Sequence, residues 1–167
     1  MIPSGKIAYL TGEYPRATDT FIQREVAALR ALGVEVETRS IRRTGTEHLV
    51  GEEQRAEAAQ TFYVLNAARN LFRLTRAKIR ALRNPRRFFR TCLLAWRTAP
   101  KGIKGRVWQM FYLAEAFVLA EHLQKHNVSH LHNHIAKASC TVAMLASALS
   151  GILAAGIATV IFAFQLI

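Results

Sequence analysis

The sequence predicts an α/β protein: a single Rossmann-like domain with a parallel sheet flanked by helices. Three observations predict it. Residues 6–41 read as strand, helix and strand, a unit that imposes a parallel pair and a right-handed crossover. Residues 129–151, SHLHNHIAKASCTVAMLASALSG, read as a strand that ends in polar residues and turns at once into a helix. The composition, 51% hydrophobic over 167 residues, supplies one real core and excludes a disordered chain.

Each element has a local reason. Lys6 to Thr11 (KIAYLT) is a short apolar run suited to a buried strand. Gly12 to Thr20 (GEYPRATDT) carries turn chemistry, with Pro15 setting φ and Gly12 allowing a tight bend. Asp19 or Thr20 then caps a helix, with Gln23 at capping-box spacing from Thr20. Phe21, Ile22, Val26, Leu29 and Leu32 form its apolar face, and Gly33 ends it. Val34 to Ile41 is a second strand, with Val34, Val36 and Thr38 on one face and glutamates on the other. Residues 44–60 read as a polar loop and a short surface helix, and Thr61 to Leu65 as an edge strand. From Asn66 to Arg106 the pattern is helical and basic, interrupted at Pro85 and at residues 100–105. Val107 to His126 is a long helix that is apolar almost all round. In the histidine strand, Val128, His130, His132 and His134 alternate with Ser129, Leu131 and Asn133. The helix after it begins near Lys137 to Ser139, buries Val142, Leu145, Ala146 and Leu149, and stops at Gly151. One domain over residues 1–152, with a basic helical insertion at about 66–106, accounts for all of this; residues 153–167 are an apolar tail.

The net charge of +12 is unevenly spread. Residues 1–57 hold eight Lys/Arg and nine Asp/Glu; residues 58–137 hold fifteen Lys/Arg against Glu115 and Glu121; residues 138–167 hold none. Unmixed charge of this kind points to a polyanionic partner. In the basic stretch Arg73, Arg76, Arg80, Arg83, Arg86, Arg87 and Arg90 interleave with leucines, phenylalanines and Trp96. That is the composition of a helix lying on an anionic membrane surface. No helix-turn-helix, zinc-finger or RNA-binding signature accompanies the charge, which disfavours nucleic acid. MIPSGKIAYL does not read as a signal peptide, and Cys92 and Cys140 read as buried free thiols, so the expected place is cytoplasmic, peripheral on the inner face of the membrane. The uncharged run 138–167 exceeds the ~20 residues needed to span a bilayer. Its first half nevertheless reads as a core helix of the sheet, and its end as a strand or a folded-back helix.

Two stretches resemble a known family. YPRATDTFIQREVAALRALGVEVE is similar to the opening of family 4 glycosyltransferases of the polysaccharide-assembly, colanic-acid type. The matching residues are Tyr14, Pro15, Thr18, Asp19, Thr20, Phe21, Ile22 and Glu25, with Asp19 where glutamate is usual. HLHNHIAKASCTVAMLASALSGI resembles the family's second landmark, a strand ending His-x-His, here His132 and His134, before a small-residue helix. The resemblance implies the acceptor-side, N-terminal half of a GT-B fold, acting on a polysaccharide or lipid-linked acceptor. It also implies a second Rossmann-like domain that holds the nucleotide-sugar donor. The chain reads as truncated before that domain, with LAAGIATVIFAFQLI replacing the usual continuation and its histidine, and as inactive alone. The alternative is a non-catalytic membrane-surface or interaction module.

Ligands of open α/β sheets sit outside the carboxyl ends of the strands. Arg16, Thr18 and Thr20 after the first strand, and His132, Asn133 and His134 at the end of the histidine strand, are therefore the expected acceptor-binding residues. Three readings of the histidines stay open: structural packing, contact with sugar hydroxyls or phosphate, and metal coordination. For a metal the sequence offers no evident further ligand, Asp19 being its only aspartate, so no metal is expected. Nor is there a G-x-G-x-x-G or P-loop; the chain is expected to hold no cofactor of its own and the catalytic residues stay unassigned.

Overall fold

A computed structural model describes residues 5–134 and 138–155. The order of elements is β1 (Lys6–Tyr14), α1 (Thr20–Ala31), β2 (Val36–Arg43), α2 (Glu52–Gln60), β3 (Phe62–Tyr63), α3 (Val64–Arg69), α4 (Leu71–Leu82), α5 (Pro85–Thr98), α6 (Ile103–Lys125), β4 (Val128–Asn133), α7 (Ala138–Ser150) and β5 (Leu153–Ala155). The five strands form one all-parallel sheet in the order β3-β2-β1-β4-β5. The chain is an α/β protein with a single Rossmann-like sheet flanked by helices. Most of the expected apolar tail, residues 156–167, lies outside the described residues, as does the expected helix start at Lys137.

Alternation along the strands divides the core in two. Ala8, Leu10, Ile41 and Leu131 face a large cluster built with α3, α6 and α7. Tyr9 and Val36 face a smaller cluster with Ile22 and Val26 of α1. Glu57 ties α2 to this second side, accepting hydrogen bonds from Arg30 of α1 and from the Tyr14 hydroxyl. On the first side, Phe62 of the edge strand stacks on His122 of α6, with ring centroids 3.6 Å apart.

Several expectations need correction. Phe21 and Leu32 are exposed; only Ile22 and Val26 of the expected α1 face are fully buried, because one short helix covers one corner of the sheet. Asp19 occupies the N-cap of α1 but makes no side-chain capping bond, and Gln23 donates instead to the Arg16 carbonyl at 2.7 Å. Strict alternation fails at the start of β4. The register moves from Lys6–Val128 to Ile7–His130, so Ser129 is an extra residue and Val128 faces the same core as Leu131. The interruption at Pro85 is present: α4 ends at Leu82, and Pro85 opens α5 at its first position, where its missing N–H costs nothing, while Asn84 caps the helix through the Arg87 N–H. By contrast, α6 starts at Ile103 rather than Val107. Leu153–Ala155 pairs with β4 as a strand. No helix among the described residues is long and apolar enough to cross a membrane.

The basic insertion forms an outer layer. Helices α4 and α5 pack on α6 and α7, turning small residues inward: Ala77, Thr91 and Ala95 are buried, with Leu74, Phe88 and Leu94 partly so. Two of its arginines are used inside the protein. Arg76 pairs with the buried Glu121 at 2.8 Å, and Arg87 donates to the Ser150 carbonyl at 2.9 Å, closing the C-terminus of α7.

Leu131 is fully buried at the centre of the sheet, whereas Leu93 of α5 is 57% exposed. Urea denaturation should therefore show Leu131→Ala losing about 2–5 kcal/mol, as large-to-small core changes do. Leu93→Ala should stay within about 0.5 kcal/mol of the parent, as surface changes do.

Candidate functional site

The strand order reverses between β1 and β4. From β1 the chain runs by α1 to β2 on one side; from β4 it runs by α7 to β5 on the other. Helices α1 and α7 thus leave on opposite faces and open a crevice at the carboxyl ends of β1 and β4, the position where such sheets take ligands. Polar residues gather there in two groups, one on each face.

The first group lies on the α1 side. Tyr9 and His132 are register partners on β1 and β4 and share this face, with ring centroids 4.8 Å apart. His134 follows β4 directly; its ring is 4.4 Å from that of His132, and the Phe21 ring meets it edge-on at 5.8 Å. Glu25 sits between the anchoring Ile22 and Val26 of α1. One of its carboxylate oxygens accepts from the Tyr9 hydroxyl at 2.8 Å. The other lies 2.8 Å from His134 Nε2, close enough for an ion pair but not aligned as a hydrogen bond. Burial, reinforced by the neighbouring Glu25 carboxylate, pushes the Tyr9 phenol well above its ordinary range. Burial, with His134 and His130 nearby, holds His132 below the usual imidazole value, against the opposing pull of Glu25. The Nε2 of His132 is buried and has no hydrogen-bond partner among the described residues.

The second group lines a cavity of about 970 Å³ on the α6 and α7 side. Its polar lining includes Arg16, Asp19, Arg42, Arg69 and Glu115. Its apolar lining includes Leu71 and Leu74 of α4 and Trp108 and Phe111 of α6. Arg16 Nε, Asp19 Oδ2 and Glu115 Oε2 are buried without hydrogen-bond partners among the described residues, and Arg16 and Asp19 approach each other only to 4.0 Å. Burial raises the Glu115 carboxyl to about 7, with Arg42 acting in the opposite direction. Near neutral pH it is therefore divided between acid and carboxylate, a state suited to proton exchange with a bound hydroxyl.

The expected site residues separate. Arg16 borders the cavity. His132 and His134 come together, but on the opposite face of the sheet. Asn133, between them in sequence, is buried. Thr18 and Thr20 are exposed and absent from the cavity wall; the Thr18 hydroxyl donates to Asp19 at 3.4 Å. Sequence reasoning did not reach Tyr9, Arg42, Arg69 or the site roles of Glu25 and Glu115. Glu25 left a trace as a matching residue of the first resemblance, and Glu115 as one of two acids in eighty residues of otherwise unmixed positive charge. No protein family, curated protein or solved structure matches the chain.

The raised Glu115 carboxyl has a consequence for stability. Its folded value, about 7, exceeds the ordinary 4.5, so the folded state binds the proton more tightly and stability falls as pH rises between those values. Urea midpoints measured from pH 4.5 to 7.5 should show a downward slope in the parent that Glu115→Gln flattens. An unchanged slope in the variant would assign it to other groups.

Proposed function

We propose that this chain is the acceptor-binding domain of a glycosyltransferase that moves a sugar from a nucleotide-sugar donor to a lipid-linked or polysaccharide acceptor. The cavity at the strand ends carries this reading. Its arginines can hold a phosphate or pyrophosphate by charge-assisted hydrogen bonds, while its apolar wall continues toward the outer helices and suits a hydrocarbon chain. Glu115 is then placed to exchange a proton with an acceptor hydroxyl. The two resemblances to family 4 glycosyltransferases, around Tyr14–Glu25 and His132–His134, support the same assignment. The nucleotide sugar belongs, in this reading, to a second Rossmann-like domain.

An anionic membrane, at its cytoplasmic face, is the proposed surface of action. Leu71, Phe72, Ile79, Phe89, Leu93 and Trp96 are all exposed on α4 and α5. Arg73, Arg80, Arg83, Arg86 and Arg90 stand among them, also exposed. Arg106 lies over the Trp96 ring at 4.4 Å. Bulky apolar residues outward and alanines inward is the reverse of a solvated surface helix. At about 1 kcal/mol per basic residue near an anionic surface, these five arginines suffice for attachment. The same outer layer also favours a second reading, a membrane-surface module without catalysis.

Two measurements separate these readings. Farnesyl diphosphate, a short stand-in for a lipid pyrophosphate, should bind the chain, and both Arg42→Ala and Trp108→Ala should weaken it about tenfold, the loss of about 1.4 kcal/mol. Inorganic pyrophosphate and farnesol should each bind far less well. The chain should also float with vesicles containing anionic lipid and not with neutral ones. Flotation without farnesyl diphosphate binding would leave the module reading standing; retention on RNA in preference to vesicles would defeat both.

A further inference from the structure

We propose that Glu25, His132 and His134 form a binding site for a divalent transition-metal ion, with zinc the ion that the donor set fits best. One carboxylate oxygen and one nitrogen from each ring all lie within 4.8 Å of one another. A tetrahedral zinc ion, with bonds of about 2.0–2.1 Å to nitrogen and oxygen, requires donors about 3.4 Å apart. His134 Nε2 and Glu25 Oε2 stand at 2.8 Å, so the remaining adjustment opens that pair slightly and closes the gap to His132. Glu25 has the freedom to make it, its side chain being 40% exposed. Two imidazoles and one carboxylate are a ligand set typical of zinc sites that keep a position open for water or substrate.

The surroundings are those of a metal site in three respects. Two of the three donors stand on regular elements, His132 in β4 paired with β1 and Glu25 within α1 beside the buried Ile22 and Val26, and His134 is the first residue after β4. Sites so mounted hold their geometry better than sites on loops. Second, the Tyr9 hydroxyl holds the far oxygen of Glu25 at 2.8 Å and leaves the near one facing His134, which is how an outer hydrogen bond orients a ligating carboxylate. Third, the buried Nε2 of His132 has no hydrogen-bond partner among the described residues, and coordination would satisfy it. The His-x-His pair by itself lacks a carboxylate from another element; the crossover helix supplies Glu25.

This site is independent of the acceptor reading, since it lies on the α1 face while the cavity opens on the other. Its test reads metal affinity and not sugar transfer. The chain, stripped with a chelator, is titrated with zinc in competition with a chromophoric chelator, and with cobalt(II) to record its visible bands. One zinc per chain is expected, with a Kd in the micromolar range or tighter, and intense visible cobalt bands of four-coordinate geometry. His132→Gln, His134→Gln and Glu25→Gln should each weaken zinc at least tenfold. Tyr9→Phe keeps every ligand and should weaken it by about ten- to a hundredfold, the usual effect of losing an outer-shell partner. A double change of His122 and His126, a histidine pair with rings 4.1 Å apart elsewhere, should leave affinity unchanged. Circular dichroism checks each variant; if a strand histidine variant does not fold, Glu25→Gln on the half-exposed helix surface decides. Absence of stoichiometric zinc binding, or binding that survives the His132 and His134 changes and follows His122 and His126, overturns the proposal.

Discussion

The parallel pairing of β1 with β4 is the constraint on which the rest of this structure depends. These strands are neighbours in space and more than a hundred residues apart in sequence. Each is followed by a helix that crosses to a different side of the sheet, and right-handed crossovers in opposite directions must use opposite faces. That single arrangement opens the crevice at the strand ends. It also sets Tyr9 beside His132 and places the loop containing Arg16 above the cavity. The extra residue at Ser129 matters for the same reason: it returns Val128 to the core while the histidines keep the opposite face.

Unsatisfied polar atoms mark where the fold departs from stability alone. Arg16 Nε, Asp19 Oδ2, Glu115 Oε2 and His132 Nε2 are all buried near the carboxyl ends of the strands. Each carries a desolvation cost of about 1–3 kcal/mol that a hydrogen bond would remove. Such atoms at the strand ends are where a bound ligand could complete the missing partners. The two groups differ in character. The cavity side combines arginines with an apolar wall; the α1 side combines imidazoles with an oriented carboxylate.

The outer layer follows a different rule from the core. Helices α4 and α5 meet α6 and α7 through Ala77, Thr91 and Ala95 together with Leu74, Phe88 and Leu94, and leave their other large side chains outward. Two arginines that look like surface charges in the sequence serve structure instead, Arg76 against Glu121 and Arg87 against the end of α7. The remaining arginines and the exposed aromatic and aliphatic residues form one mixed surface, apolar and cationic together.

Periodicity and turn chemistry alone determined the α/β class, the strand at Lys6, the crossover helix, the edge strand near Phe62 and the helix that ends at Gly151. Those are local properties: period 2, period 3.6, and glycine at positive φ. The pairing of His132 with His134 was legible for the same reason, since i and i+2 on a strand share a face. Tertiary structure alone decided that Glu25 completes that pair, that Tyr9 orients it, and that Arg42, Arg69 and Glu115 share a cavity with Arg16. It also decided that Thr18 and Thr20 stand outside. These contacts join residues from different elements, and no local period records which face of a crossover helix meets which strand. The strand order and the bulge at Ser129 set them, and both are fixed only when the whole sheet closes its hydrogen bonds.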